Sequence, residues 1–244
     1  MGLWYEDHFQ EDYLMIYKHR NEKRAQEELT SISKFLPFKK GDQLLDLCCG
    51  NGRHCRWFAK QGIKVTGVDL SSTLLKEARK KEQANKLGIR YIQTDMRNIQ
   101  FDQEFDIVVN LFTSFGYFEQ DSENERVIAK ISLALKPGGH FLLDFFNPYY
   151  VRRKLIPITV ETVGEKTIHQ FRKIEDNTVK KTIKINDHQG SKRYEERVKL
   201  YTEEYLTKII ENYDLRIKSI YGNYDGSPYS VENSERLILL CKKL

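Results

Sequence analysis

The chain has 244 residues, with 40 Lys+Arg against 35 Asp+Glu, and its formal charge of +5 argues by itself for no particular partner. The length suits one domain with room for an insertion and is enough to bury a full core. No apolar run approaches the roughly 20 residues a bilayer span requires, and residues 1–10 are acidic and aromatic rather than signal-like, so a cytoplasmic protein without membrane attachment is expected.

Residues 6–36 read as helical, with Tyr13, Leu14 and Tyr17 and then Ala25, Leu29, Ile32, Phe35 and Leu36 at near-helical spacing before Pro37 stops the run. Trp4, Tyr5, Phe9, Tyr13 and Tyr17 make its first part aromatic. Such a stripe ordinarily packs on a core, although its place ahead of the first strand also suits a lid.

From Gln43 onward strand and helix alternate. Leu44–Leu47, Lys64–Val68, Arg90–Gln93, Phe105–Leu111 and His140–Phe146 read as strands, with helices over Arg53–Lys60 and Ser72–Lys86. A third helix is opened by the capping-box spacing of Ser122-Glu123-Asn124-Glu125 and ended by Lys136-Pro137-Gly138-Gly139. Short apolar strands between amphipathic helices describe a parallel α/β sheet covered on both faces.

The pattern changes near residue 150. Thr167–Glu175, Thr178–Asp187 and Lys192–Tyr201 alternate with period two and are joined at Asp176-Asn177 and His188-Gln189-Gly190-Ser191, as in antiparallel hairpins with one wet face. Residues 151–200 hold 13 basic and 7 acidic side chains, so the insertion carries +6 and the rest is close to neutral. Charge on outer strand faces ordinarily serves solvation, though a basic patch also attracts anions. Thr202–Tyr213 then returns to helix, and Asp214–Tyr221 and Arg236–Lys242 to strand.

The chemistry gathers at Leu44-Leu45-Asp46-Leu47-Cys48-Cys49-Gly50-Asn51-Gly52-Arg53-His54, an apolar strand breaking into a glycine turn ahead of a helix. Glycine lets backbone approach a ligand, and a helix N-terminus offers N–H groups to an anion. A dinucleotide site wants a third glycine where Cys55 stands, so the NAD reading loses an element. Acids at the ends of three strands decide the matter. Asp46 ends the first; Asp69 ends the second, where a carboxylate can accept both ribose hydroxyls; Asp95 follows the third, placed to accept from an exocyclic adenine amine. Each alone is a turn or N-cap residue, but ligands of open α/β sheets bind beyond the carboxyl ends of the strands, where all three converge.

The order Leu45-Asp46-Leu47-Cys48-Cys49-Gly50-Asn51-Gly52, Val68-Asp69-Leu70-Ser71, Thr94-Asp95-Met96, Phe105-Asp106-Ile107-Val108-Val109-Asn110 and Leu135-Lys136-Pro137-Gly138-Gly139 resembles the class I S-adenosylmethionine-dependent methyltransferases. Asn110–Phe118 and Tyr221–Tyr229 are similar to a little-characterised bacterial group of small-molecule methyltransferases with an antiparallel insertion after the fifth strand. The resemblance implies a Rossmann-like seven-stranded α/β sheet with helices on both faces, formed by residues 1–150 and 201–244, with 151–200 inserted over the acceptor site.

It also implies roles. Asp46 would engage the methionine ammonium, with backbone at Cys49, Gly50 and Gly52 facing the methionine and ribose. Asp69 would bind the ribose hydroxyls, Leu70 would pack on the adenine, and Asp95 and the Met96 N–H would reach its edge. Asn110 would offer its carbonyl near the ammonium, Tyr17 would lie on the cofactor side, and Phe112 or Phe115 would wall the methyl. Cys48 departs from the family, standing where the common motif has a glycine.

With S-adenosylmethionine as cofactor, the protein mainly has to align a small-molecule acceptor with the S–CH₃ bond and exclude water. A general base is required only if the acceptor must first lose a proton; His8, His19, Tyr13, Tyr17 and Tyr117 are the polar candidates. Asn147-Pro148-Tyr149-Tyr150 looks like an amine-methylating signature but follows the wrong strand, and a turn is expected there. Cys48, Cys49, Cys55 and Cys241 form no CxxC pair and are expected as free structural thiols, with no metal. The alternatives are an RNA or protein methyltransferase gripping through the basic insertion, which lacks a clear nucleic-acid signature, and a non-catalytic cofactor-binding protein. Neither the acceptor nor the oligomeric state is readable from the sequence.

Overall fold

Neighbouring residues of a strand point to opposite faces, and in the central strands both sets are apolar. In a computed structural model the described residues are 4–5, 11–17, 21–188 and 190–244. In chain order α1 (Glu11–Ile16) and α2 (Glu22–Ile32) lead into β1 (Gln43–Leu47), α3 (Arg53–Lys60), β2 (Lys64–Asp69), α4 (Ser72–Asn85), β3 (Arg90–Gln93), β4 (Phe105–Asn110), α5 (Asp121–Ala134) and β5 (Leu135–Phe146). There follow α6 (Pro148–Lys154), β6 (Ile158–Val163), β7 (Lys166–Glu175), β8 (Thr178–Asp187), β9 (Gly190–Lys199), α7 (Glu203–Glu211), β10 (Leu215–Tyr221) and β11 (Arg236–Lys243).

The main sheet has the order β10-β11-β5-β4-β1-β2-β3. Strands β1 to β5 are mutually parallel, and β11 runs antiparallel between β5 and β10. Leu45, Val108 and Phe141 pack on one face against Ile128 and Ile131 of α5 and Leu206 and Ile210 of α7. Leu44, Ile107 and Leu142 pack on the other against Leu29 and Ile32 of α2 and Phe58 of α3. Each such buried side chain contributes roughly 1.5–3 kcal/mol. The doubly covered sheet therefore aims the carboxyl ends of β1, β2 and β4 at one rim.

The insertion is a four-stranded antiparallel sheet, β6-β7-β8-β9, one strand more than the three alternating segments predict. Asp176 and Asn177, at φ +49° and +56°, make its β7–β8 turn; both tolerate the left-handed region that a two-residue hairpin demands. Ile168, Ile183 and Ile185 form an apolar face that receives Ile16 and Tyr17. Asp12 of α1 accepts from Lys192 Nζ (2.9 Å) and Tyr194 Oη (2.7 Å), so α1 is fastened to this second sheet. Lys199 N–H donates to Gly116 O (2.9 Å) and joins β9 to the main domain.

Several boundaries differ from expectation for local reasons. Among the described residues, the helix read through 6–36 is represented by α1 and α2, and Asn21 Oδ1, accepting from Arg24 N–H (3.1 Å), starts α2 afresh. Residues 6–10 and 18–20, with Phe9, His8 and His19, lie outside the described residues. Ser122 does not cap α5, which begins two residues earlier than that cap implies, at Asp121 after Gln120; Asp121 and Glu123 instead place negative charge in its first turn. β5 starts at Leu135, immediately after α5, with a register shift opposite Phe105 and Ile107.

The turn expected at Asn147-Pro148 is the start of α6. Asn147 caps it by accepting from Tyr149 N–H (3.0 Å), and Pro148 occupies the first turn, where a missing N–H is harmless. The four cysteines are free thiols, and among the described residues no helix is long and apolar enough to cross a membrane.

Asn147 is fully buried and also donates from Nδ2 to Val231 O and Ser234 O (both 2.8 Å), tying α6 to the loop before β11. Asn147→Ala removes the cap and strands those carbonyls, and it should lower the urea-unfolding free energy by about 3 kcal/mol. A loss below about 1 kcal/mol would contradict this bridging role.

Candidate functional site

The turn between β1 and α3 is possible only because three of its residues sit at positive φ: Cys48 (+64°), Gly50 (+56°) and Gly52 (+73°). Cys48 thus adopts the conformation for which the glycine of the resembled motif is suited, at a cost of roughly 1–2 kcal/mol. A Cβ on Gly52 would fall 2.2 Å from the Tyr91 hydroxyl, which covers the turn from β3. The close packing that a third glycine gives a dinucleotide motif is supplied instead by Gly67 on β2. A Cβ there would meet Cys49 Sγ and Cys55 Sγ at 2.9 Å. Burial raises the thiols of Cys49, to about 11, and of Cys55, so neither is a nucleophile near neutral pH.

Two adjoining cavities open beside this turn. The larger, about 300 Å³, is lined by Tyr13, Tyr17, Asp46, Cys49, Gly50, Arg53, His54 and Phe112 among others. The smaller, about 80 Å³, is lined by Tyr5, Asp69, Leu70, Asp95, Met96, Tyr117 and Phe118 among others. Tyr13, Cys48, Gly50, Leu74, Phe112 and Ser114 border both. The acid at the end of β1 therefore faces the larger cavity, and the acid at the end of β2 and the one following β3 face the smaller cavity beside it.

Each acid is held differently. Asp69 Oδ2 accepts from Gly50 N–H (2.7 Å) and Oδ1 from Ser71 N–H (2.9 Å). Burial pushes its carboxyl up, and the backbone N–H groups of Ser71, Gly50 and Leu70 push it back. Asp95 is engaged along one edge by Arg97, Oδ2 accepting from Nη2 at 2.6 Å and Oδ1 from Nε at 3.0 Å, while Tyr5 Oη accepts from the same guanidinium (3.0 Å). Asp46 is fully buried and accepts from the Cys55 thiol (3.1 Å).

Not every expected residue borders the cavities. Asn110 is fully buried behind the wall, and its Nδ2 donates to Leu47 O (3.1 Å) and Ser114 O (3.2 Å), where it props the loop after β4. Gly52 caps α3 beneath Tyr91 rather than lining the space. Of the two phenylalanines expected at the wall, Phe115 packs in the core on Phe145 and Tyr201, and Phe112 faces both cavities.

Phe112 is the most constrained part of that wall. It and Thr113 lie at φ +59° and +61°. Buried Asp144 holds them, its carboxylate accepting from Phe112 N–H (2.8 Å), Tyr224 Oη (2.9 Å) and Arg236 Nη2 (2.6 Å). The His54 ring stacks on Phe112 at 4.9 Å, and Arg53 lies 4.4 Å from the same ring. The sequence reading passed over Arg53 and His54; their place in the first turn of α3, next to the glycine turn, was the available signal.

Burial pushes the Asp46 carboxyl up to about 7, against the pull of the Cys55 thiol and the Arg53 charge. The folded value then exceeds the unfolded one, so the folded state holds the extra proton and stability falls as pH rises from about 4 through about 7. The loss is at most roughly 4 kcal/mol. Asp46→Asn removes this contribution, so its unfolding free energy should fall less than wild type's between pH 5 and pH 8. Equal falls in urea titrations would contradict it.

Residues 44–139 match the family described as Methyltransferase domain. The chain is 34% identical over 107 residues to a putative methyltransferase of Geobacillus sp. (strain WCH70), covering 44% of this chain and 43% of that protein. It is 32% identical over 105 residues to the dTDP-3-amino-3,4,6-trideoxy-alpha-D-glucopyranose N,N-dimethyltransferase of Streptomyces venezuelae, covering 43% of each. The chain spans less than half the length of these two relatives. The solved structure of an S-adenosylmethionine-dependent methyltransferase from Clostridium acetobutylicum superposes with a TM-score of 0.78 at 23% identity, over 94% of this chain and 95% of that one. An amino pentose methyltransferase from Micromonospora echinaspora, solved with S-adenosylmethionine bound, gives 0.68 at 20% identity, over 96% and 97%. Residues 44–139 thus match a methyltransferase domain, and the chain as a whole has the fold of solved S-adenosylmethionine-dependent methyltransferases.

Proposed function

We propose that the protein transfers the methyl group of S-adenosylmethionine to a small-molecule acceptor by in-line displacement. The observation that carries this reading is the convergence of Asp46, Asp69 and Asp95 on two adjoining cavities, with six lining residues in common, beside a glycine turn. The donor set fits the cofactor: Leu70, Met96 and Phe118 offer apolar surface for an adenine, Asp69 keeps lone pairs for ribose hydroxyls, and buried Asp46 suits an ammonium. When bound, the cofactor supplies an electrophilic sulfonium methyl.

The chain's own work is then to hold, orient and keep dry. Phe112 and Ser114 border the cavities from the end of β4. Tyr13 and Tyr17 close the larger cavity from the N-terminal side, backed by the second sheet. The Tyr17 hydroxyl donates to Glu196 and accepts from Lys181, so the roof is anchored in the insertion. We assign the insertion, residues 151–200, to covering the acceptor. Burial raises the Tyr117 hydroxyl well above its ordinary value, so it can donate but does not act as a base near neutral pH. A proximity mechanism needs no further group if the acceptor arrives unprotonated.

A small acceptor is supported by two further points. The Streptomyces venezuelae and Micromonospora proteins are named as methyltransferases of amino sugars. Basic side chains of the insertion are also engaged within the fold: Lys192 with Asp12, Lys180 with Glu175, Arg193 and Arg197 with Glu195, Lys199 with Asp121. This pairing fits docking and solvation better than a grip on phosphates.

Isothermal titration tests the reading. S-adenosylmethionine and S-adenosylhomocysteine should each bind at one site per chain, with little dependence on salt. Asp69→Ala should weaken both by about 2 kcal/mol, roughly thirtyfold, through loss of charge-assisted bonds. No heat with a wild-type protein shown by circular dichroism to be folded would overturn it.

A further inference from the structure

The second sheet, β6-β7-β8-β9, has two edges, and they are finished differently. Along β9 the alternating row Arg193, Glu195, Arg197 and Lys199 is charged, and Lys199 N–H is engaged by Gly116 O (2.9 Å). Charge of this kind keeps an edge from pairing with another chain. β6 has the opposite character. Its outer row starts with Ile158 and Val160, which are 58% and 54% exposed, and Ile156 just ahead of the strand is exposed as well. Glu161 is the strand's one charged residue.

Backbone geometry decides which groups this edge offers. Arg172 N–H donates to Pro157 O (2.7 Å), so in the antiparallel ladder Pro157, Thr159 and Glu161 turn their polar backbone groups toward β7. The N–H and C=O groups of Ile158, Val160 and Thr162 therefore point away from the sheet. No other strand lies on that side among the described residues. Exposed apolar side chains and outward backbone groups on one short strand make a template for another strand.

The strand is complementary to itself. Laid antiparallel on a copy with Thr159 at the two-fold axis, Ile158 of each copy faces Val160 of the other, and their outward N–H and C=O groups meet as hydrogen-bonded pairs. Isologous pairing of this kind closes on itself. The charges agree with the same register. Glu161 of each copy falls opposite Pro157 of the other, on the face and in the row where Arg172 stands. Glu161 makes no ion pair or side-chain hydrogen bond with the described residues. The Arg172 guanidinium meets only uncharged oxygens there, on Thr159 Oγ1 (3.1 Å), Gln170 Oε1 and Ile156 O (3.4 Å). Each copy thus brings one acid and one cation without an ionic partner, and the two-fold sets them across from each other.

We propose that a second copy of this chain docks on β6, joining the two four-stranded sheets into one of eight strands. The pairing braces the layer on which Ile16 and Tyr17 rest, and it does not depend on which ligand the cavities hold. A six-residue edge is small beside the ~1,200–2,000 Å² of stable interfaces, so the dimer is reversible.

Sedimentation equilibrium tests it, with circular dichroism to show that each variant is folded. Wild type should pass from monomer to dimer with a micromolar dissociation constant. Val160→Lys sets a charge into the apolar strip and should weaken the dimer at least tenfold. Glu161→Lys, at a side chain with no internal partner, should weaken it roughly fivefold, and adding Arg172→Glu should restore it to within about twofold of wild type. Thr159→Cys places one thiol of each copy at the axis, where the Cα atoms of a non-hydrogen-bonded pair lie about 4.5 Å apart, and exchange with oxidised glutathione should yield a disulfide-linked dimer. Glu161→Cys, facing Pro157, should not be linked. A wild type that stays monomeric up to roughly 100 µM overturns the proposal. So does a dimer that Val160→Lys leaves intact, or one that is linked through Glu161→Cys and not through Thr159→Cys.

Discussion

The Gly50 N–H donates to Asp69 Oδ2 at 2.7 Å, and this bond between the turn after β1 and the end of β2 organises the site. To bring the Gly50 amide to the carboxylate, the turn passes through left-handed conformations at Cys48, Gly50 and Gly52. To lie so close to β2 it needs a glycine beneath it, which Gly67 provides against the Cys49 and Cys55 sulfurs. A charge-assisted bond of this kind is roughly twice as strong as a neutral one, enough to offset the strain at Cys48. Asp69 consequently serves two masters, the loop and the space in front of it, and the buried thiols around it are packing that lets strand, turn and helix approach one another.

How much of this was legible depended on whether the determining contacts were local. Alternating apolar strands and amphipathic helices specified the doubly covered sheet, and the rule that ligands gather at strand ends brought Asp46, Asp69 and Asp95 to one rim. Asn110 ends its strand as expected, yet a strand's period of two does not say whether its last side chain faces the cavity or the layer behind it, and here it props Ser114 and Leu47. Likewise Phe112 and Phe115 are equivalent by composition; only the left-handed turn at Phe112 and Thr113 separates wall from core. Asn21 and Asn147 both cap helices that hydrophobic spacing alone read as continuous helix or as a turn. Arg53 and His54 were hidden for a different reason: charged residues in a helix's first turn are usually solvated, and nothing local announces that these two turn inward.

The segment from Tyr221 to Tyr229, distinctive in sequence but silent about function, gains a physical role through β5. Tyr224 donates to Asp144 (2.9 Å) and Tyr229 to Asn147 Oδ1 (3.3 Å), while the Gly222 position is so close to Ser234 Oγ that a Cβ would lie 2.0 Å away. With Arg236, these contacts clamp the end of β5 and hold Phe112 and Thr113 in conformations costing roughly 1–2 kcal/mol each. Strain of this kind persists only where surrounding structure over-determines it, and it collects where a wall has to stay put. The molecule therefore has a rigid side, built on β4, β5 and the 221–236 loop, facing a roof of Tyr13 and Tyr17 carried by the second sheet.

On the proposed function, the acids at the ends of β1 and β2 and the one after β3 hold one adenosyl ligand between that rigid side and its roof. A crystal structure of the complex with S-adenosylhomocysteine tests it most directly. Both ribose hydroxyls are expected on the Asp69 carboxylate, the adenine between Leu70, Met96 and Phe118, and the amino-acid end beside Asp46. Density for the ligand elsewhere, or in this cavity with no ribose contact to Asp69, would contradict it.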